Sequence, residues 1–296
     1  GRLRLVSAPE LTTRRGLHPA WWIAAVAFVA LLAAAGFRAA PGALMVPLHH
    51  EFGWSTSVMS AAVSINLLLF GLTAPFAAAL MDRFGIRRVI AVALALIAAG
   101  AGLTVFATDA WVLLLTWGVL IGLGTGSMAL VFAATIANRW FVKRRGLVMG
   151  VLTAGSATGQ LIILPPVAAL AEGPGWRAAS LLIAAIALAA VPLVAGVLRD
   201  HPEDLGRMPY GADPARHVAP PRHTGNAARR AIDGLRMAAR RPAFWALAGA
   251  FAICGATTNG LVGVHFIPSA HDHGMEATVA AGLLAVVGVF DVVGTI

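Results

Sequence analysis

Cysteine occurs once in 296 residues, at Cys254 inside an apolar stretch, so the chain holds no intrachain disulfide and no cysteine-based metal site. Charge is scarce too. Only 12% of residues are Asp, Glu, Lys or Arg, against 59% hydrophobic, and the mean hydropathy is +0.81. That balance excludes an ordinary water-soluble domain and marks a membrane protein. Acids are fewer than bases, 13 against 22, for a formal charge of +9. The excess does not point to nucleic acid, because the arginines fall in short runs between apolar stretches, where they set membrane topology. No Ser/His, Cys/His or metal-spaced acidic cluster occurs within those stretches, so the chain does not read as an enzyme and implies no cofactor or metal. His271-Asp272-His273 has metal-ligand residue types but reads as a solvated turn.

What is present is a series of apolar runs of bilayer-spanning length, at about 20–48, 56–80, 89–107, 111–137, 147–171, 178–198, 243–268 and 276–296. The first is too long for the apolar core of a signal peptide. Eight runs predict an all-α polytopic membrane protein. Between the second and third lies Met81-Asp82-Arg83-Phe84-Gly85-Ile86-Arg87-Arg88, a knot of charge too short to re-cross a bilayer, so its neighbours form a helical hairpin. Basic residues gather in this loop, in the tail of residues 1–19 (Arg2, Arg4, Arg14, Arg15), around Arg139, Lys143, Arg144 and Arg145, and in 199–242. By the positive-inside rule these are cytoplasmic, which places the N-terminus inside a plasma or inner membrane.

The 199–242 stretch is hydrophilic and rich in proline and arginine, which divides six spans (20–198) from those in 243–296. Its tail, about Asn226 to Arg241, reads either as a basic amphipathic helix with Ile232, Leu235 and Met237 facing lipid, or as plain linker. Shifting the first hairpin by 221 positions superposes it on the last two spans without a gap: Ala35 on Ala256, Gly42 on Gly263, Pro47 on Pro268, Glu51 on Asp272 and Gly53 on Gly274. Both hairpins start from the cytoplasm, so the repeat is parallel. A second half of equal size needs six spans, and the chain, which starts without methionine and stops at Ile296 in an apolar run, reads as a piece of a twelve-span protein.

Asp82, Arg83, Gly85, Arg87 and Arg88 match the loop motif G-x-x-x-D-R-x-G-x-R-R, with Ala78 in place of the leading glycine. On these residues the chain resembles the major facilitator superfamily. Three more stretches are similar to its monocarboxylate and oxalate–formate porter branch: Gly36-Phe37-Arg38 through Phe52-Gly53-Trp54, Asn138 through Gly146, and Arg199 through Gly206. The resemblance implies two six-helix halves rocking about a central site. It also implies that Asp82, Arg83, Gly85, Arg87 and Arg88 form a gating motif whose aspartate meets a helix end and arginines of the opposite half. Independently, an exposed charge pair at a helix end contributes only about 0–1 kcal/mol, weak enough to be a breakable latch. The simpler alternative is that these charges only enforce topology.

Arg38 lies well inside the first span, beside Gly36, Pro41 and Gly42. A mid-membrane arginine costs about 2.5–3.5 kcal/mol to insert, so it normally faces a cavity and a partner, and its planar guanidinium grips a carboxylate through both oxygens. The expected substrate is a small organic anion; the alternative is an arginine that snorkels to the interface. Asp291 is the one acid deep within a span. A carboxyl group taken out of water exchanges its proton nearer neutral pH, which suits coupling to protons, although a structural acid is the alternative. Its setting, Gly288-Val289-Phe290-Asp291, resembles that of monocarboxylate porters, which carry an arginine one turn later where Thr295 stands here, so Arg38 is expected to supply the positive charge. Asn259 superposes on Arg38 under the internal shift, with Thr257 and Thr258 beside it and His265 further out; Gln160 and Asn66 are similar polar residues. They read as substrate-binding (Asn259, Thr258, Gln160) or proton-coupling (His265) groups, or as ordinary interhelical hydrogen bonds. The expected partners are a small organic anion, a proton or counter-substrate, and the lipid bilayer. Other readings stay open: a transporter-like ligand sensor or assembly protein, or a drug or sugar transporter.

Overall fold

The structure, a computed structural model, describes residues 18–128, 130–213 and 227–295. The N-terminal arginines named above, the middle of the linker from 214 to 226 and Ile296 lie outside the described residues. Six long helices come first: α1 (Pro19–Phe52), α2 (Thr56–Phe84), α3 (Ile86–Thr104), α4 (Ala110–Trp140), α5 (Arg145–Glu172) and α6 (Trp176–Val197). A 3-10 turn at Pro202–Leu205 precedes α7 (Ala227–Ala239), α8 (Pro242–Asp272) and α9 (Ala277–Thr295). Seven of them, α1 to α6 and α8, are long and apolar enough to cross a membrane, and α9 adds an apolar helix of 19 residues. Among the described residues the one β-type pairing is an isolated bridge between Phe141 and Tyr210. This is an all-α polytopic membrane fold. Helices are what apolar runs must form where no water can satisfy a backbone amide.

Small residues set the packing. Cβ atoms placed on Gly118, Gly122 and Gly126 of α4 would meet Ile65, Asn66 and Phe70 of α2 at 2.9 to 3.1 Å, so this four-residue spacing is a seam for close approach. Gly155 and Gly159 of α5 face Phe28 and Leu32 of α1 in the same way, whereas Gly146 has nothing near it. The first six spans meet the last two at α1 with α8 and at α5 with α9. A Cβ on Gly42 would lie 3.1 Å from the Val264 carbonyl oxygen and 3.2 Å from that of Gly263, the residue equated with Gly42 by the 221-residue shift. Equivalent residues touching each other is the contact that a two-fold axis between repeats produces. Further out, the Glu172 carboxylate at the end of α5 accepts a hydrogen bond from the Thr278 amide (3.1 Å) in the first turn of α9, which otherwise has no partner within its helix.

The linker is ordered where it begins. The Tyr210 amide donates to the Trp140 carbonyl (2.8 Å), its own carbonyl accepts from the Val142 and Lys143 amides, and its ring packs against His18, Trp21 and Phe141. Its tail does form a helix, α7, which docks on α2 through Ala231 against Ala79 and Phe76. Ile232 and Leu235 are exposed on one flank. Met237 departs from the expectation, because five residues of helix turn it about 140° away from Ile232, to the opposite flank.

Candidate functional site

A cavity of about 340 Å³ lies between the first six helices and α8–α9. Its walls are mostly apolar, with Phe37, Pro41, Val63, Leu67, Trp117, Val262, Leu284, Val287 and Phe290, and its polar lining is Arg38, Asn66, Ser156, Gln160 and Thr258. Arg38 is half-buried, its Nη2 donates to the Ser156 hydroxyl at 2.6 Å, and its guanidinium stands 5.1 Å from the Phe70 ring centre. The guanidinium is thus held at the wall of a largely apolar cavity. Asn66 is buried and donates to the Trp117 carbonyl at 2.7 Å.

Two of the lining elements depart from α-helical winding. Leu114–Ile121, around Trp117, and Gly255–Val262, around Thr258, are π-helical. Such insertions leave carbonyls without their usual partner and recur at functional sites. The Trp117 carbonyl that receives Asn66 belongs to one of them, and its buried indole Nε1 has no hydrogen-bond partner among the described residues.

At the end of the bundle bearing the charged loop, Asp82 forms an ion pair with Arg139 of α4 (2.6 Å), and Arg139 also donates to the Asp200 carbonyl at 3.4 Å. The Asp200 carboxylate accepts from the Arg87 amide (3.0 Å) in the first turn of α3, where the helix dipole favours an anion. Gly85 begins that turn at φ +89°, and a Cβ there would collide with the same carboxylate. Only glycine satisfies both conditions. His201 opens the 3-10 turn, its amide donating to the Asp204 carboxylate at 3.0 Å. Arg83 stacks over Phe84, and the side chains of Arg83, Arg87 and Arg88 are exposed. The partner expected for Asp82 was the opposite half; the described one, Arg139, belongs to the same six helices.

Residues 26–296 match the sequence pattern of the Major Facilitator Superfamily. The chain belongs to this superfamily. Monocarboxylate transporter 11 of Mus musculus is 30% identical over 279 residues, covering 92% of this chain and 56% of that protein. An uncharacterised MFS-type transporter of Bacillus subtilis, YcxA, is 28% identical over 173 residues, covering 58% of this chain and 42% of its own length. The chain thus spans 42% to 56% of the length of these relatives. Among solved structures, a partially occluded inward-open conformation of the xylose transporter XylE from E. coli superposes with a TM-score of 0.59 at 15% identity, covering 93% of this chain and 71% of that one. A likeness at that identity carries the fold alone.

Against this superfamily fold the residues singled out from sequence sort into three groups. Arg38, Gln160 and Thr258 line the central cavity together. Asp82, Arg83, Gly85, Arg87 and Arg88 line a second depression at the charged end, with Asp200 and His201. His265, two helical turns beyond Thr258, does not line the cavity; it is half-buried between Val264, which does, and Ile267. The side chains of Asn259 and Asp291 lie outside the described residues; Asp291 follows Phe290, which lines the cavity. Sequence reasoning missed Ser156 and Trp117. A serine in a glycine-rich helix and an indole in an apolar one both read as packing, and only their place beside Arg38 and Asn66 distinguishes them.

Proposed function

We propose that this chain forms the first six helices, the linker and the start of the second half of a secondary transporter for small organic anions of monocarboxylate type, working by alternating access. The reading divides the chain at 20–198, 199–242 and 243–296, with the basic loops and the N-terminus in the cytoplasm. The observation that carries it is Arg38, whose guanidinium is held by Ser156 and Phe70 in a largely apolar cavity. Such a site favours one anionic head and an uncharged body. The printed name of the Mus musculus relative, monocarboxylate transporter 11, agrees with that chemistry. Thr258, Gln160 and Asn259 orient the substrate, and Asp291 carries the exchangeable proton. The Asp82–Arg139 pair belongs to the gate at the charged end, where its opening would free the α2 end from α4.

The test is uptake of labelled monocarboxylates by the full-length protein in proteoliposomes. Arg38→Gln is expected to lower uptake at least a hundredfold, because the substrate carboxylate would be buried without a counter-charge, a loss of about 3 kcal/mol or more. Normal uptake by that variant overturns the substrate assignment. Asp291→Asn is expected to abolish accumulation driven by a proton gradient while leaving anion exchange intact. An unchanged pH dependence of uptake in Asp291→Asn rules out coupling through this residue.

A further inference from the structure

Helix α7 is not used by the transport reading, and its surface has a chemistry of its own. Two residues separate its end at Ala239 from Pro242, where α8 begins, so by chain continuity it lies at the level of the membrane surface. One flank is cationic: Arg229 and Arg236 fall within about 20° of each other around the helix axis, and Arg240 and Arg241 follow the helix end. Asp233 is the one acid of the helix, 4.0 Å from Arg229 and 3.9 Å from Arg236, and both arginine side chains are more than three-quarters exposed. On the other side Ala231 is pressed on Ala79 and Phe76 of α2, leaving Ile232 and Leu235 uncovered beside that contact. Trp245, in the first turn of α8, donates its indole Nε1 to the Ala239 carbonyl at 3.0 Å while its ring is exposed. An amphipathic ring at that junction is what a headgroup boundary selects.

We propose that α7 is a docking surface for anionic phospholipid: its arginine flank takes the headgroup phosphates of the adjoining leaflet, and Ile232 and Leu235 enter the acyl boundary. Three features on one short element support this occupant. The helix adjoins a span, its charge is of one sign apart from Asp233, and its uncovered apolar residues lie next to the face fixed on α2. A basic cluster immediately beside a spanning helix attracts anionic lipid with a strength that grows by about fivefold in affinity per arginine. The inference rests on the orientation proposed above only for naming the leaflet as cytoplasmic, and lipid binding is measured without transport, so the two readings fail separately.

The experiment titrates the purified full-length protein, in neutral-detergent micelles, with phosphatidylglycerol or phosphatidylcholine and counts bound lipid by native mass spectrometry. Phosphatidylglycerol is expected to bind at least about tenfold more tightly than phosphatidylcholine. R236Q should lower its affinity about fivefold, and R229Q/R236Q/R240Q about a hundredfold. D233K should raise it, which keeps the proposal falsifiable if the triple variant folds poorly. Equal affinity for the two lipids in the unmodified protein, or a preference that survives the triple substitution, overturns the proposal.

Discussion

Helices α1 and α8 start from related sequence and end in different surroundings. Each begins with proline at its first position and carries another proline near its far end, Pro47 and Pro268, and they touch through Gly42 and Gly263. In its most apolar window, however, α1 is 61% buried and α8 6%. The first helix is gripped by α5, α6 and α8, while α8 leaves Leu247, Phe251, Ile253 and Leu261 uncovered. The difference teaches that a duplicated pattern specifies a helix and a contact point, and that the neighbours decide which residues become a site. Arg38 on α1 has Ser156 and Phe70 to hold it; Thr257 on α8 turns back on its own Ile253 carbonyl.

The largest break in that comparison comes from Gly42. Gly42→Leu places a side chain against backbone oxygens of α8 that cannot retreat, and we expect a loss of about 3 kcal/mol. Thermal unfolding of the purified full-length protein measures it; an unchanged unfolding temperature would mean that α1 and α8 do not meet at Gly42. A smaller effect tests the grip on Arg38. Ser156→Ala removes a hydrogen bond to a charged group, worth about 1.5–3 kcal/mol, and should raise the apparent KM for anion uptake about tenfold, while Thr258→Val on α8 should leave Arg38 in place and change it less.

The smallest effect concerns the helix starts. α1 is capped by a side chain, His18 Nδ1 accepting from the Ala20 amide at 3.3 Å, and the start of α8 at Arg241 has no such cap. Burial, and after it the Arg207 charge, hold the His18 imidazole below its ordinary value, against an opposing hydrogen bond with the Met208 backbone. Because the folded value is the lower one, the unfolded chain binds more protons between the two. The capping contribution is therefore complete above about pH 6.5 and declines as pH falls through that interval. His18→Asn keeps an acceptor without the titration. Comparing unfolding at pH 7.5 and pH 5 should show a decline in the parent, of at most about 1 kcal/mol, that the variant lacks.

The spans were legible because length and hydropathy are the property the bilayer selects. The expected 56–80 and 111–137 became Thr56–Phe84 and Ala110–Trp140, the helices running on past the apolar residues into the charged ends. That Arg38 faces a cavity was legible too, since a costly mid-membrane charge has few uses. Ser156 was not, because a partner 118 residues away leaves no local signal. Nor was Asp200 at the α3 start, or Arg139 as the described partner of Asp82: all sit among polar loop residues, where many pairings have similar chemistry. The place of His265 further out than Thr258 was legible from its position in the span, and it does not line the cavity.

The bridge at Tyr210 has a mechanical consequence. By fastening to the α4–α5 loop and to the ring cluster at the start of α1, it makes the first part of the linker, as far as that bridge, a fixture of the six-helix body. The part of the linker between that bridge and α7 is therefore shorter than the hydrophilic stretch in the sequence. From Asp213 to the first residue of α7 it can pay out no more than about 50 Å when taut, and its far end is moored to α2 through Ala231. In the alternating-access motion proposed above, the pull would fall first on that mooring, so freeing α7 from α2 would lengthen the stroke before it altered the site.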